Sequence, residues 1–262
     1  MNSSEISASS LGAFLPAERL SRVRVFPVVD STNTVLKQMA AEGAPAGTTV
    51  IADTQTAGRG RMDRRFVSPA GAGLYLSYLL RTDAAPEQLP ELTAWVAVAA
   101  AEAVRETAGI LPGIKWVNDL VVSGRKIAGI LTERSGSGAI VIGVGINVSK
   151  SVLPPDVAAM ASSLEAVTGK QPSRAALAAA LIRWLDRLTA DFPTHKASYL
   201  DAYRESCITV GQQVSVVRGT ETYHASAVAV TDDFSLLVRR KDGTEETVSS
   251  GEVSVRGLYG YV

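Results

Sequence analysis

The 262-residue sequence is poor in the residues that most metal and nucleophile sites are built from, with one cysteine and two histidines. Cys207 has no partner for an internal disulfide, and a single thiolate cannot supply a zinc cage of three or four ligands. His195 lies in a helical stretch and His224 in a β-patterned one, so a histidine triad would have to be assembled from distant parts of the chain. Charge of one sign is also missing. Lys plus Arg is 26 and Asp plus Glu is 26, which leaves no general field for nucleic acid or anionic membrane. Nowhere does an apolar run approach the ~18 residues of a membrane span, and the N-terminus lacks a basic segment followed by an apolar one. The expectation is a soluble, cytoplasmic protein without membrane contact. Phosphate-binding fingerprints are missing too: there is no GxxxxGK[ST], and the glycine pairs 58/60 and 143/145 run on to Asp63 and Val148 where a third glycine is required.

What is present is an ordinary globular composition, 46% apolar and 20% charged, in a chain longer than the roughly 100 to 200 residues of a usual domain. Residues 1–21 are Ser-rich and read as a tail or a short lead-in helix over 11–20. From Arg22 extended and helical patterns mix: strands over 23–29, 49–52 and 74–80, and helices over 32–42 and 92–107. Three extended runs follow, over 114–122, 125–133 and 139–148, with Ser123-Gly124 and residues 135–138 as turns, which predicts an antiparallel meander. Ser173 caps a helix to about residue 188, and further helix extends to 205. Beyond Cys207 short β-patterned runs alternate with Gly and Asp turns. The reading is α+β: a mixed, largely antiparallel sheet with helices over 22–207, then a small β domain over 208–262.

The chemistry concentrates in a few stretches. Residues 55–65, QTAGRGRMDRR, set four arginines against one aspartate, with glycines that let backbone approach a ligand. Such a run suits an anion site, and equally a solvated basic loop. In KWVNDL, residues 115–120, Asn118 and Asp119 interrupt a strand-forming run, as a turn or as ligand or metal contacts. Lys126 opens the apolar run 127–131, which places its ammonium at a pocket mouth or at a snorkelling edge.

Taken in order, Asp30-Ser31-Thr32-Asn33, the QTAGRGR run, KWVNDL, RKIAGIL followed by Glu133, and residues 143–148 (GVGINV) resemble the signature of biotin protein ligases. The resemblance spans residues 30–256 and implies a catalytic domain like those of class II aminoacyl-tRNA synthetases, followed by an SH3-like β-barrel. It implies ATP and Mg²⁺ as cofactors, biotin as substrate, biotinyl-5′-AMP as intermediate and a lysine of a biotin carboxyl carrier protein domain as acceptor. By similarity, Ser31, Thr32, Asn33, Gln55, Arg59, Gly60, Arg61, Lys126 and Gly129 would bind biotin, with Arg59, Arg61 and Lys126 catalytic. Arg64, Lys115, Asn118, Asp119 and Asn147 would hold ATP and the adenylate, with Asp119 also toward the metal.

The chain departs from the family pattern at Asp63, commonly glycine, at Phe66, usually tryptophan, and at Val117, commonly proline. Many relatives carry an N-terminal DNA-reading module; about 21 residues before the first strand are too few for one, so a monofunctional ligase without DNA binding is expected. A homodimer through a sheet edge fits the pattern without being required by it. The competing readings are a lipoate or octanoate ligase or transferase of the same superfamily, and a biotin sensor without catalysis.

Overall fold

The computed structural model describes residues 6–62, 64–84, 88–150, 155–249 and 253–257. Asp63, singled out in the sequence, lies outside them. Strands β1 (Val23–Val29), β2 (Thr49–Gln55), β3 (Gly73–Leu80), β4 (Gly113–Lys115), β5 (Asp119–Val122), β6 (Arg125–Arg134) and β7 (Ile140–Asn147) form one sheet in the order β1-β2-β3-β7-β6-β5-β4. Only β1 and β2 run parallel. The expected mixed, largely antiparallel sheet is what forms.

The uninterrupted apolar texture of β3 follows from its place in the middle. All eight residues are buried, because helices or the cleft cover both faces. Leu74, Leu76, Tyr78 and Leu80 join the core shared with helices α4 (Leu89–Ala108) and α7 (Arg174–Asp191), while Leu79 packs under α3 (Thr32–Ala41) with Leu36, Ala40, Val50 and Val141. The alanines of α4 let α7 approach closely, as small residues at a helix crossing do. Helix α4 carries proline in its first turn and ends on Gly109 at φ 71°, the left-handed conformation of a helix C-cap. Ser173 caps α7, as its sequence position implied, by accepting from the Ala176 amide.

Two local features differ from the sequence expectation. The single strand over 114–122 is broken at residues 116–118 into β4 and β5, because that turn is pinned from outside the sheet. The Ser-rich segment before β1 holds two short helices, α1 (Ala8–Gly12) and α2 (Ala17–Leu20), and buries Ile6, Leu11 and Leu15 in the main core. Its apolar residues were too few for a periodic pattern, yet they suffice to dock it.

After helix α8 (Lys196–Ser206), strands β8 (Gln213–Arg218), β9 (Glu221–Val230), β10 (Leu236–Arg240), β11 (Glu245–Val248) and β12 (Val253–Gly257) make an antiparallel sheet in the order β11-β10-β9-β8-β12. Among the described residues no pairing joins β11 to β12, so a five-stranded antiparallel sheet is what the structure shows of the expected small β-barrel. It is bolted to the first sheet at the 116–118 turn. The Trp116 amide donates to Thr209 Oγ1 at 2.9 Å, its indole Nε1 donates to the Phe234 carbonyl at 3.0 Å, and Tyr203 packs edge-on against Phe234.

Candidate functional site

A cleft of about 860 Å³ opens on the α3 side of the seven-stranded sheet. Its floor is set by strand register. Tyr75 of β3, Gly145 of β7, Gly129 of β6 and Asp119 of β5 stand opposite one another in a single row. Because alternate strand residues share a face, Gly143 and Gly145 open a trough on one side of β7 while Val144 between them fills the core on the other. A Cβ on Gly145 would lie 2.6 Å from the Phe66 ring, which rests in the trough and meets Tyr75 edge-on at 6.3 Å.

One end of the cleft is a network of hydroxyls and amides. Gln55 Oε1 accepts from the Thr32 amide at 2.9 Å and from Thr32 Oγ1 at 3.1 Å, and Gln55 Nε2 donates to Ser68 Oγ at 2.8 Å. Ser77 Oγ lies 2.7 Å from Thr32 Oγ1 and 2.5 Å from Asn33 Oδ1, and its one proton serves one of them at a time. Ser31, Thr32 and Asn33 are all buried at the start of α3. A rigid polar head group with both donors and acceptors would find matched partners here.

The other end is cationic. Residues 59–62 fold back against residues 64 and 65: Gly60 donates to the Arg64 carbonyl at 2.7 Å, and Arg59 and Arg65 form an antiparallel bridge. Gly58 is required beneath that turn, because a Cβ there would collide with the Phe66 carbonyl. Arg61 Nη1 reaches Asn118 Oδ1 at 3.4 Å, and Asn118 Nδ2 donates to the Ile130 carbonyl at 2.9 Å. Burial lowers the Arg61 pKa, and the nearby Asp119 carboxylate opposes that shift. Lys126 Nζ sits 2.6 Å from Asp119 Oδ1, and the Lys126 amide donates to the Met160 carbonyl at 2.9 Å. Asn147 Nδ2 donates to the Ser162 carbonyl, which ties the 157–162 stretch to the cleft rim.

The residues singled out in the sequence therefore converge. Ser31, Thr32, Asn33, Gln55, Arg59, Gly60, Arg61, Arg64, Lys115, Asn118, Asp119, Lys126, Gly129 and Asn147 all line this one cleft. Sequence reasoning missed Tyr75, the trough at Gly143 and Gly145, and the wall around Met160 and Ala161. The two glycines at i and i+2 inside an apolar strand were a legible signal for a bare face, whereas nothing local marks residues 157–161. Among the described residues no group of three or more His, Cys, Asp or Glu forms a metal cage. The cleft does offer the Asp119 carboxylate, and Mg²⁺ is commonly held by one or two carboxylates together with substrate phosphates, so the residues fit such an ion.

The sequence pattern of the Biotin/lipoate A/B protein ligase family matches residues 25–147, and that of the biotin protein ligase C terminal domain matches residues 209–256. The bifunctional ligase/repressor BirA of Bacillus subtilis is 33% identical over 230 residues, covering 85% of this chain and 71% of that protein. The biotin--[acetyl-CoA-carboxylase] ligase of Mycobacterium tuberculosis is 33% identical over 232 residues, 85% of each chain. The structure of biotin protein ligase from Aquifex aeolicus in complex with biotin and ATP superposes with a TM-score of 0.79 at 27% identity, over 90% of this chain and 98% of that one. On fold, cleft and likeness over most of its length, this chain belongs to the biotin protein ligase family.

Proposed function

We propose that the cleft activates biotin with ATP and transfers it to a lysine of a biotin carboxyl carrier protein domain. The observation that carries this reading is the union, in one trough, of an amide and hydroxyl network at one end with Arg59, Arg61, Arg64 and Lys126 at the other. The first step sets a carboxylate against the α-phosphate of ATP. A carboxylate oxygen bonds to phosphorus and pyrophosphate leaves, so the barrier is one of positioning and charge neutralisation, with no enzyme nucleophile required. The near-absence of cysteine and histidine is compatible with that chemistry.

Ser31, Thr32, Asn33 and Gln55 hold the ureido ring, and Gly129 lets the backbone of its strand lie against the ligand. Arg59, Gly60 and Arg61 close over the carboxylate, and Lys126 neutralises charge where the acyl phosphate forms. Arg64, Lys115, Asn118 and Asn147 hold the nucleotide. Asp119 holds Mg²⁺, which when bound with ATP supplies further neutralisation of the phosphates. In the second step the carrier lysine, as free amine, bonds to the acyl carbon and AMP leaves. Asp119 is the carboxylate placed to orient that amine.

The test is label transfer from biotin to a purified carrier domain with Mg-ATP, wild type against Lys126→Ala. Transfer by wild type and its loss in the variant is the expected result. Biotin binding with no pyrophosphate release would overturn it in favour of a sensor, and turnover of octanoate or lipoate in place of biotin would assign the cleft to the sister activity.

A further inference from the structure

Glu133, next to last in β6, lies outside the set of residues assigned to substrate, yet its carboxylate gathers three partners. Oε1 accepts from Lys37 Nζ at 2.7 Å and faces Arg59 Nη2 at 3.5 Å, while Oε2 accepts from Asn33 Nδ2 at 2.8 Å. Asn33 in turn meets Ser77, Ser77 meets Thr32, Thr32 meets Gln55, Gln55 reaches Ser68, and Ser68 Oγ donates to the Phe66 carbonyl at 3.0 Å. One hydrogen-bonded chain beneath the amide end of the cleft therefore ends on both stems of the arginine loop: on Arg59 through Glu133, and on Phe66 through Ser68.

We propose that Glu133 is a positioning residue that latches the arginine loop by balancing two cations, Lys37 and Arg59, and so holds Arg59 over the cleft. This rests on the biotin ligase reading for its consequence in catalysis, though not for the latch itself. Both cations approach the same oxygen, so without the carboxylate they face each other, and Arg59, whose side chain is 47% exposed against 27% for Lys37, is the one with solvent to move into. The carboxylate stays ionised: burial pushes its pKa up, but donation from Lys37 and Asn33 and the nearby Lys37 and Arg59 charges bring it below the usual range.

The experiment compares wild type, Glu133→Gln, Lys37→Met and the double variant by biotin KM and kcat for pyrophosphate release, and by the rate of trypsin cleavage within residues 59–65 without ligand. Glu133→Gln is expected to raise the biotin KM about tenfold with kcat changed less than about threefold, and to speed loop cleavage severalfold. Lys37→Met alone is expected to leave both unchanged, and in the double variant it recovers part of the loss, since the repulsion on Arg59 is gone. A purely structural carboxylate gives the opposite pattern, with Lys37→Met, which removes the nearer partner, as harmful as Glu133→Gln and the double worse than either. That pattern, or unchanged KM and cleavage in Glu133→Gln, overturns the latch. Should wild type release no pyrophosphate with biotin, the functional reading fails and loop cleavage alone decides the latch.

Discussion

Lys126 and Asp119 form an ion pair of 2.6 Å across the neighbouring strands β6 and β5, with side chains only 26% and 15% exposed. Each is the other's counterion. Each offsets part of the other's desolvation, and the pair has to open for Lys126 to meet a substrate carboxylate. Lys126→Met removes one of the cations facing Asp119, Arg61 being another, and is expected to lose about 2 kcal/mol of stability along with all adenylation. The double variant Lys126→Met with Asp119→Leu is expected to regain most of the stability and none of the activity. Thermal melts and pyrophosphate release on the three proteins check this, and parallel recovery of both properties would contradict the assignment.

The trough at Gly145 is expected to be intolerant of a single methyl group. Gly145→Ala places a carbon 2.6 Å from the Phe66 ring, which must leave its seat against Tyr75. Pyrophosphate release should fall at least tenfold with little loss of stability. Phe66→Leu, with a smaller side chain, should restore part of it in the double variant. A simply additive cycle would mean that Phe66 does not occupy the trough.

Asp53 and Arg174 tie the start of α7 to the sheet behind the cleft, Arg174 Nη2 meeting Asp53 Oδ1 at 2.6 Å and Arg174 Nε donating to the Gly73 carbonyl at 2.8 Å. The pair is lopsided, since the arginine side chain is 2% exposed and the aspartate 39%. Asp53→Ala removes the carboxylate partner of a buried cation and is expected to cost about 3 kcal/mol. Arg174→Met leaves a carboxylate that water still reaches and should cost about half as much. Urea unfolding of the two variants measures the difference, and equal losses would refute the asymmetry.

Alkaline pH should destabilise the fold through groups kept protonated by burial. Burial raises the Cys207 thiol and pushes the fully enclosed Tyr203 hydroxyl well above its ordinary range. Groups with raised folded-state pKa values contribute stability that is present below their unfolded values, about 8.5 for a thiol and about 10 for a phenol, and lost as pH climbs past them. The melting temperature should therefore begin to fall near pH 9, and Cys207→Ala should delay the onset toward pH 10. Alkylation of native Cys207 at pH 7.5 should be no faster than unfolding.

The chemistry was legible in the sequence where it depended on residue type within a short stretch. Four arginines beside spaced glycines, Asn118-Asp119 inside a strand-forming run and a lysine opening an apolar strand are local statements, and the cleft gathers all of them. The meander was equally readable: Ser123 and Gly124, at φ 50° and 72°, form the two-residue hairpin turn with both φ values positive that their identities imply.

What the sequence determined by itself was the order of elements, the two-faced burial pattern and the inventory of charged and amide groups, because each rests on neighbours a few positions apart. Tertiary structure alone decided the rest. The break at Trp116 depends on Thr209 and Phe234, about 90 and 120 positions away, and the latch at Glu133 on Lys37 and Arg59, brought over from other elements. The trough needs Gly129 and Gly145 in register with Tyr75, and strand register is settled by how whole faces bury against α3, α4 and α7.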